Sequence, residues 1–253
     1  MNGMTSIIIP TYNGLHLLRT CVEHIRAYTD VPYEIIVVDN GSHDGTGAYC
    51  TQEKLTLISL PHNLGFPAAC NWGMRAARGD NLLLLNNDVY VSPRWLSGLI
   101  DALYSSEDVG IVGPVTNYAS GIQQVEVGYS DLAGFVSEAD RRNAPGAQDW
   151  REVRRIVGLC YLFKRSVMER IGWLDELYSP GHYEDDDYCY RARLAGFRLL
   201  VANHVLVHHE GSASFRHRFP SGFRELVERN RRRFLNKWKV DPLQFIDERG
   251  GAS

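Results

Sequence analysis

Along the first hundred residues, short β-branched runs alternate with stretches whose apolar residues recur every three or four positions. That is the pattern of strands joined by crossover helices in a parallel sheet. Residues 6–9 predict a strand, and 15–28 a helix with Leu17, Leu18, Cys21, Val22 and Ile25 on one face. Residues 34–38 are a continuous apolar run, as expected of a strand buried on both faces. Strands at 56–60 and 81–85 and helices at 67–77 and 93–104 continue the alternation, Pro93 suiting a first helical turn. After a strand at 109–115 the period is lost, and 118–150 reads as an irregular insertion facing the substrate. Order returns with a strand over 153–163, helices over 165–171 and 184–195, and extended chain over 198–208. A last helix over 223–240 gathers Phe223, Leu226, Val227, Phe234 and Trp238 on one face, with Arg229, Arg231, Arg232, Arg233, Lys237 and Lys239 on the other. The pattern predicts an α/β fold, a single Rossmann-like domain whose mainly parallel central sheet is flanked by helices, with a C-terminal amphipathic helix.

Composition narrows the function. The 44% hydrophobic and 23% charged content is that of a globular chain, so disorder is excluded for the bulk. With 27 Lys and Arg against 30 Asp and Glu, no basic field exists to hold a nucleic-acid backbone, and no nucleic-acid partner is expected. The five cysteines are scattered and never spaced as CxxC, which argues against a zinc ribbon or a disulfide framework and for a reducing compartment. No apolar run approaches the roughly 20 residues of a membrane span, so a cytoplasmic protein is expected. Residues 221–240 could give it peripheral contact with an anionic membrane, the alternative being that their apolar face packs on the domain.

Candidate chemistry gathers at the carboxyl ends of the predicted strands, where open α/β sheets bind ligands. The first turn reads PTYNG, so the glycine fingerprint of dinucleotide sites is missing, and no GxxxxGK[ST] loop occurs. Asp39 ends a buried strand and needs donors, from the local turn or from a ligand's N–H and ribose hydroxyls. Asn86-Asn87-Asp88 ends another; its one carboxylate could take a site on a divalent cation completed by phosphate and water, or the triplet could form an Asx turn. Glu184-Asp185-Asp186-Asp187 places four acids at a helix start, more than capping requires. One of them in a cleft could act as a general base; the alternative is an exposed acidic cap paired with Arg191 and Arg193. His208 and His209 would face opposite sides of a strand, so at most one joins a given site.

In this order the motifs SIIIPTYNG, EIIVVDNGSHDGT, HNLGFPAACNWGMRAARGD, LLLLNNDV, VGLCYLFKRSVMERIGWLDE, YEDDDYCYRARLAGFRL and VHHEGSAS resemble the family 2 glycosyltransferases, inverting enzymes of the A-type nucleotide-sugar-binding fold, over most of residues 5–214. The resemblance implies that Pro10, Tyr12 and Asp39 surround the nucleotide base and ribose, with Gly65 and Asn71 on the segment closing over it. The family's acidic triplet stands here as Asn86-Asn87-Asp88, leaving the metal role to Asp88 and hydrogen bonding to the donor to Asn86 and Asn87. Asp185 takes the place of the catalytic base with Glu184 beside it. His209, by its distance to Ser214, joins the cation, with His208 as the alternative. Carboxylate with imidazole suits Mn²⁺ better than Mg²⁺. The implied reaction is transfer from a UDP- or dTDP-linked sugar to a hydroxyl of a polysaccharide, glycolipid or protein. Residues 1–117 then form a nucleotide-sugar-binding half and 118–215 an acceptor and catalytic half of one domain, with 216–253 a helical tail. The competing readings are a nucleotidyltransferase, disfavoured by PTYNGLHLLR, and a non-catalytic nucleotide-sugar-binding or scaffold protein.

Overall fold

The computed structural model describes residues 3–144, 146–211 and 222–246. The chain runs β1 (Thr5–Thr11), α1 (Leu15–Tyr28), β2 (Tyr33–Asp39), α2 (Thr46–Gln52), β3 (Thr56–Ser59), α3 (Phe66–Ala76), β4 (Asn81–Leu85), β5 (Val89–Tyr90), α4 (Trp95–Leu103) and β6 (Val109–Thr116). It continues with α5 (Leu132–Arg142), β7 (Trp150–Val153), β8 (Cys160–Lys164), α6 (Arg165–Ile171), α7 (Glu184–Leu194), β9 (Arg198–His209) and α8 (Phe223–Trp238). Nine strands make one sheet in the order β3-β2-β1-β4-β8-β6-β9-β5, with β7 also pairing β9. Strands β1 to β4 are mutually parallel, β8 inserts antiparallel between β4 and β6, and β6 runs parallel to β9. The expected α/β architecture, with its mainly parallel sheet and C-terminal helix, is therefore present.

The apolar runs explain themselves by burial. Ile7, Ile8 and Ile9 of β1 and Ile36, Val37 and Val38 of β2 are all fully buried, because helices cover both faces of the sheet. Helix α3 packs on β1 and β2, and α4 on β6 and β9. The carboxyl ends of β1, β2 and β4 consequently open on one edge of the sheet, where the polar triplets and turns begin.

Several expectations are corrected. The strand expected over 153–163 is two strands separated by loop 154–159. Its backbone donors go to side chains instead of a ladder: the Val157 N–H to Gln123 Oε1 at 2.7 Å and the Gly158 N–H to Asp185 Oδ2 at 2.8 Å. Residues 118–150 hold a regular helix, α5, capped by Asp131, whose carboxylate accepts from the Gly134 N–H. The fourth helix starts at Trp95 and not at Pro93, because Arg94 adopts a left-handed conformation with φ 59°. Helix α2 and the two-residue strand β5 are too short to show a period.

Helix α8 packs its apolar stripe inward. Leu226, Asn230 and Phe234 are buried, and Phe234 meets Tyr190 and Phe245 at ring centroid distances of 5.9 and 6.4 Å. The Asn230 amide nitrogen lies 2.7, 2.9 and 3.1 Å from the carbonyl oxygens of Tyr178, Gly181 and His182. Lys237 and the Trp238 indole N–H both donate to Asp187 Oδ1 at 2.7 Å. Much of the basic face is spent at home as well, Arg229 on the Ser179 carbonyl, Arg233 on that of Leu177, Arg231 on Asp241 and Arg232 on Glu228. The apolar stripe of α8 is thus used for docking on the domain; residue 221, like Ser214, lies outside the described residues. Among the described residues no helix is long and apolar enough to cross a membrane.

Replacing Asn230 by Ala strips buried carbonyls of their donor, at an expected cost of about 1–3 kcal/mol. Urea unfolding of the variant checks this; a midpoint equal to that of the parent chain would show that α8 is held by its aromatic contacts alone.

Candidate active site

One cavity of ≈ 980 Å³ lies along the carboxyl edge of the sheet. Its floor is made by Pro10–Asn13 after β1, Asn40 after β2 and Asn86-Asn87-Asp88 after β4. Its other side is made by loop 154–159, the turn into α7, and the C-terminal segment.

Asp88 is buried, and its Oδ1 lies 3.4 Å from Nε2 of His209. Strand pairing brings them together, since Val89 of β5 is in register with His209 of β9. Nδ1 of His209 is 2.8 Å from the Tyr118 carbonyl oxygen, which can only accept, so that nitrogen carries a proton. Nε2 then points at a carboxylate and needs either a second proton or a cation between them. Burial lowers the His209 pKa, but the hydrogen bond and charge of Asp88 outweigh it and hold the imidazole above its usual value. Among the described residues no cluster of three His, Cys, Asp or Glu side chains forms. A divalent ion here would therefore take Asp88 and His209 from the chain and complete its shell with phosphate oxygens and water, a coordination ordinary for ions on nucleotide diphosphates. The residues fit such an ion. His208 points elsewhere, its Nδ1 2.9 Å from the Tyr129 hydroxyl and its ring stacked at 5.8 Å on Tyr90.

The four acids of α7 have four different surroundings. His182 and Tyr183 both adopt left-handed backbone, φ 72° and 75°, and turn the chain so that the first turn of α7 meets the cavity. Asp185 lines the cavity and is half-buried; its Oδ2 accepts from the Gly158 N–H and its Oδ1 from the Asp186 N–H at 2.9 Å. A Cβ on Gly158 would stand 3.2 Å from Asp185 Cβ, so this close approach suits glycine. Asp186 Oδ1 pairs with Arg155 Nε at 2.7 Å, and both residues reach the cavity. Burial, opposed by Arg155, pushes the Asp186 carboxyl up to about 7. Glu184 is buried with Oε2 unpartnered. Burial, joined by the charge of Asp185, holds its carboxyl well above the usual range. Asp187 faces inward, to Arg191 at 2.8 Å and to Lys237 and Trp238.

The residues expected to meet the donor divide. Pro10, Tyr12, Asn86 and Asn87 line the cavity, Asn87 donating to Thr11 Oγ1 at 2.8 Å. Asp39, Gly65 and Asn71 lie outside the lining. Asp39 accepts from the Ser42 N–H at 2.9 Å and holds the turn after β2. Gly65, at φ 95°, opens α3 where a Cβ would come 2.8 Å from Ser179 Oγ. The amide of Asn71 is fully used on Leu174 and Glu176, clamping α3 to the loop before α7. Asn40, Asn63, Arg155, His182 and the C-terminal apolar residues also line the cavity. Asn40, Asn63 and His182 are set by loops and Arg155 lay inside a predicted strand, while Phe223 and Val227 were legible only as the apolar face of the last helix.

Comparison with known proteins agrees with this architecture. The chain is similar, at 31% identity over 82% of its length, to the O-antigen biosynthesis protein RfbC of Myxococcus xanthus, of which it spans 17%. The fold is similar to that of a mannosyltransferase, PcManGT, from Pyrobaculum calidifontis in complex with GDP-Man and Mn²⁺ (TM-score 0.64, 22% identity, 85% of this chain and 59% of that one). It is also similar to GalNAc-T7 with UDP, GalNAc and Mn²⁺ (TM-score 0.66, 16% identity, 82% and 43%). Residues 6–172, which carry β1 through α6 and the whole floor of the cavity, match the model of glycosyl transferase family 2, and the chain belongs to that family.

Proposed function

We propose that this chain transfers a glycosyl group, with inversion, from a UDP- or dTDP-linked sugar to an acceptor hydroxyl, with Asp185 as the base. The observation that carries this reading is that Asp185 and the Asp88–His209 pair, which come from separate elements, line one cavity. The relative named for O-antigen biosynthesis supports a glycan acceptor, in a polysaccharide, glycolipid or glycoprotein. The five cysteines are buried free thiols, in keeping with a cytoplasmic site of action.

In this mechanism the nucleotide lies along Pro10, Tyr12, Asn86 and Asn87, with Asp39, Gly65 and Asn71 fixing the turns and helix behind them. Asp88 and His209 would hold a divalent cation, Mn²⁺ by preference for a carboxylate with imidazole, and that ion supplies positive charge for the diphosphate. The acceptor hydroxyl enters beside Asp185, whose carboxylate is fixed by the Gly158 N–H and takes the proton as the oxygen attacks the anomeric carbon. The bond from that carbon to the diphosphate oxygen breaks on the opposite face, and the nucleoside diphosphate leaves. Glu184, whose carboxyl is held above its usual range by burial and by the charge of Asp185, lines the cavity beside the base and can hydrogen-bond the acceptor.

Calorimetric titration of UDP, dTDP and GDP, with and without Mn²⁺, tests the donor side. Manganese-dependent binding of a uracil or thymine nucleotide is expected, weakened at least about 10-fold in Asp88→Ala. A folded chain that binds none of them would favour the scaffold reading. Asp185→Asn keeps an acceptor for Gly158 and removes the base, so kcat should fall by about 10²–10⁴ with donor affinity unchanged; full turnover would sink the assignment. Glu184 has a folded pKa above its unfolded one, so the wild-type chain loses stability as pH rises above about 4.5, the ordinary carboxylate value. Glu184→Gln does not titrate, and its stability relative to wild type should increase from pH 5 to pH 8 in urea unfolding. A pH-independent difference would show an ionised Glu184.

A further inference from the structure

Helix α8 carries Arg224, Arg229, Arg231, Arg232, Arg233 and Lys237, yet it sends only Phe223 and Val227 to the cavity. The turn that follows adds Pro242, Leu243 and Ile246. Among the described residues after 222, every side chain lining the cavity is apolar. This wall is firmly placed, because Asn230 holds α8 to residues 178–182 and Asp187 receives Lys237 and Trp238. Leu243 is 47% exposed, and its turn is fixed by the Asp241 carboxylate, which accepts from the Leu243 N–H at 3.1 Å. An aliphatic side chain held open to solvent at the mouth of a cavity costs stability unless something covers it.

The wall is continuous with the base. His182 and Tyr183 line the cavity just before Glu184 and Asp185, and the His182 ring meets Phe223 edge to face at 5.1 Å. Asn40, Asn86, Asn87 and Asp88 sit at the sheet edge, and Arg155, His182 and the acids of α7 line the side between that edge and the C-terminal wall. A second sugar laid against the C-terminal wall would find no side chain there to pair with its hydroxyls, and burying them unpaired is unfavourable. We infer that this wall receives an aliphatic chain attached to the acceptor, whose hydroxyl reaches Asp185. Val227, Pro242, Leu243 and Ile246, with Phe223 at the His182 end, form a largely aliphatic surface that suits an alkyl or isoprenoid chain. The inference rests on the transferase reading above and names its acceptor class.

The test uses the full chain and two probes with the same sugar, n-octyl β-D-glucoside below its micellar concentration and methyl β-D-glucoside, with UDP and Mn²⁺ titrated in parallel. The octyl glycoside should bind at least about 10-fold more tightly than the methyl one. Leu243→Asp and Val227→Asp should abolish that preference and leave UDP binding unchanged. Leu243 is exposed enough for its variant to fold, and a thermal melt verifies it. Equal binding of the two glycosides, or an octyl preference untouched in both variants, overturns the inference while UDP binding keeps the transferase reading. Failure of UDP to bind the folded chain overturns that reading and the inference with it.

Discussion

Four carboxylates on one helical turn cannot all be ionised side by side at low cost. Two like charges 4 Å apart repel by about 4 kcal/mol at the effective dielectric of a protein surface. Helix α7 resolves this by giving three of the acids, Asp185, Asp186 and Asp187, separate partners that fix different parts of the molecule. Asp187 takes Arg191, Lys237 and Trp238, and so anchors α8. Asp186 takes Arg155 and holds loop 154–159 against the helix. That loop then offers the Gly158 N–H to Asp185. Glu184 is buried, and burial together with the charge of Asp185 raises its carboxyl above the usual range. The helix dipole favours the whole group at this end, and the division of partners leaves Asp185 at the cavity, held by backbone N–H groups.

The floor of the cavity depends on backbone geometry as well as on side-chain pairing. Parallel strands β1, β2 and β4 end together, so their terminal turns form a floor, tied further by contacts such as Asn87 to Thr11. The antiparallel pairing of β5 with β9 sets Asp88 beside His209 through the register Val89↔His209. The Tyr118 carbonyl then selects the His209 tautomer. The carboxylate and the imidazole are thus held in place by ladder hydrogen bonds and one carbonyl, which lowers the ordering cost of any group bound between them.

What was legible in the sequence follows the same division. Fully buried strands such as EIIVV and helices with long apolar stripes such as 15–28 announce themselves, because burial on a regular element imposes a regular period. The polar strand ends could be named for the same reason. Loop 154–159 was hidden inside an apolar run: Ile156 and Leu159 are as buried as strand residues, while the departure from the ladder is caused by Gln123 and Asp185, distant in sequence. Asn71 and Asn230 look alike as polar residues on helices, and only tertiary contacts reveal that both clamp the loop before α7. His208 and His209 could be assigned to opposite faces by strand alternation, but which face holds Asp88 required the sheet order.

The two halves of the cavity are therefore built on different terms. The floor belongs to the sheet, so a change there disturbs strands whose burial stabilises the whole domain. The apolar wall belongs to α8 and its following turn, attached through one aspartate, one asparagine and a small aromatic cluster. Substitutions at Val227 or Leu243 can alter what that wall contacts without touching β1, β4 or the Asp88–His209 pair. A chain arranged this way can change what its C-terminal wall contacts by altering a few side chains, while the geometry of the floor stays fixed by the sheet.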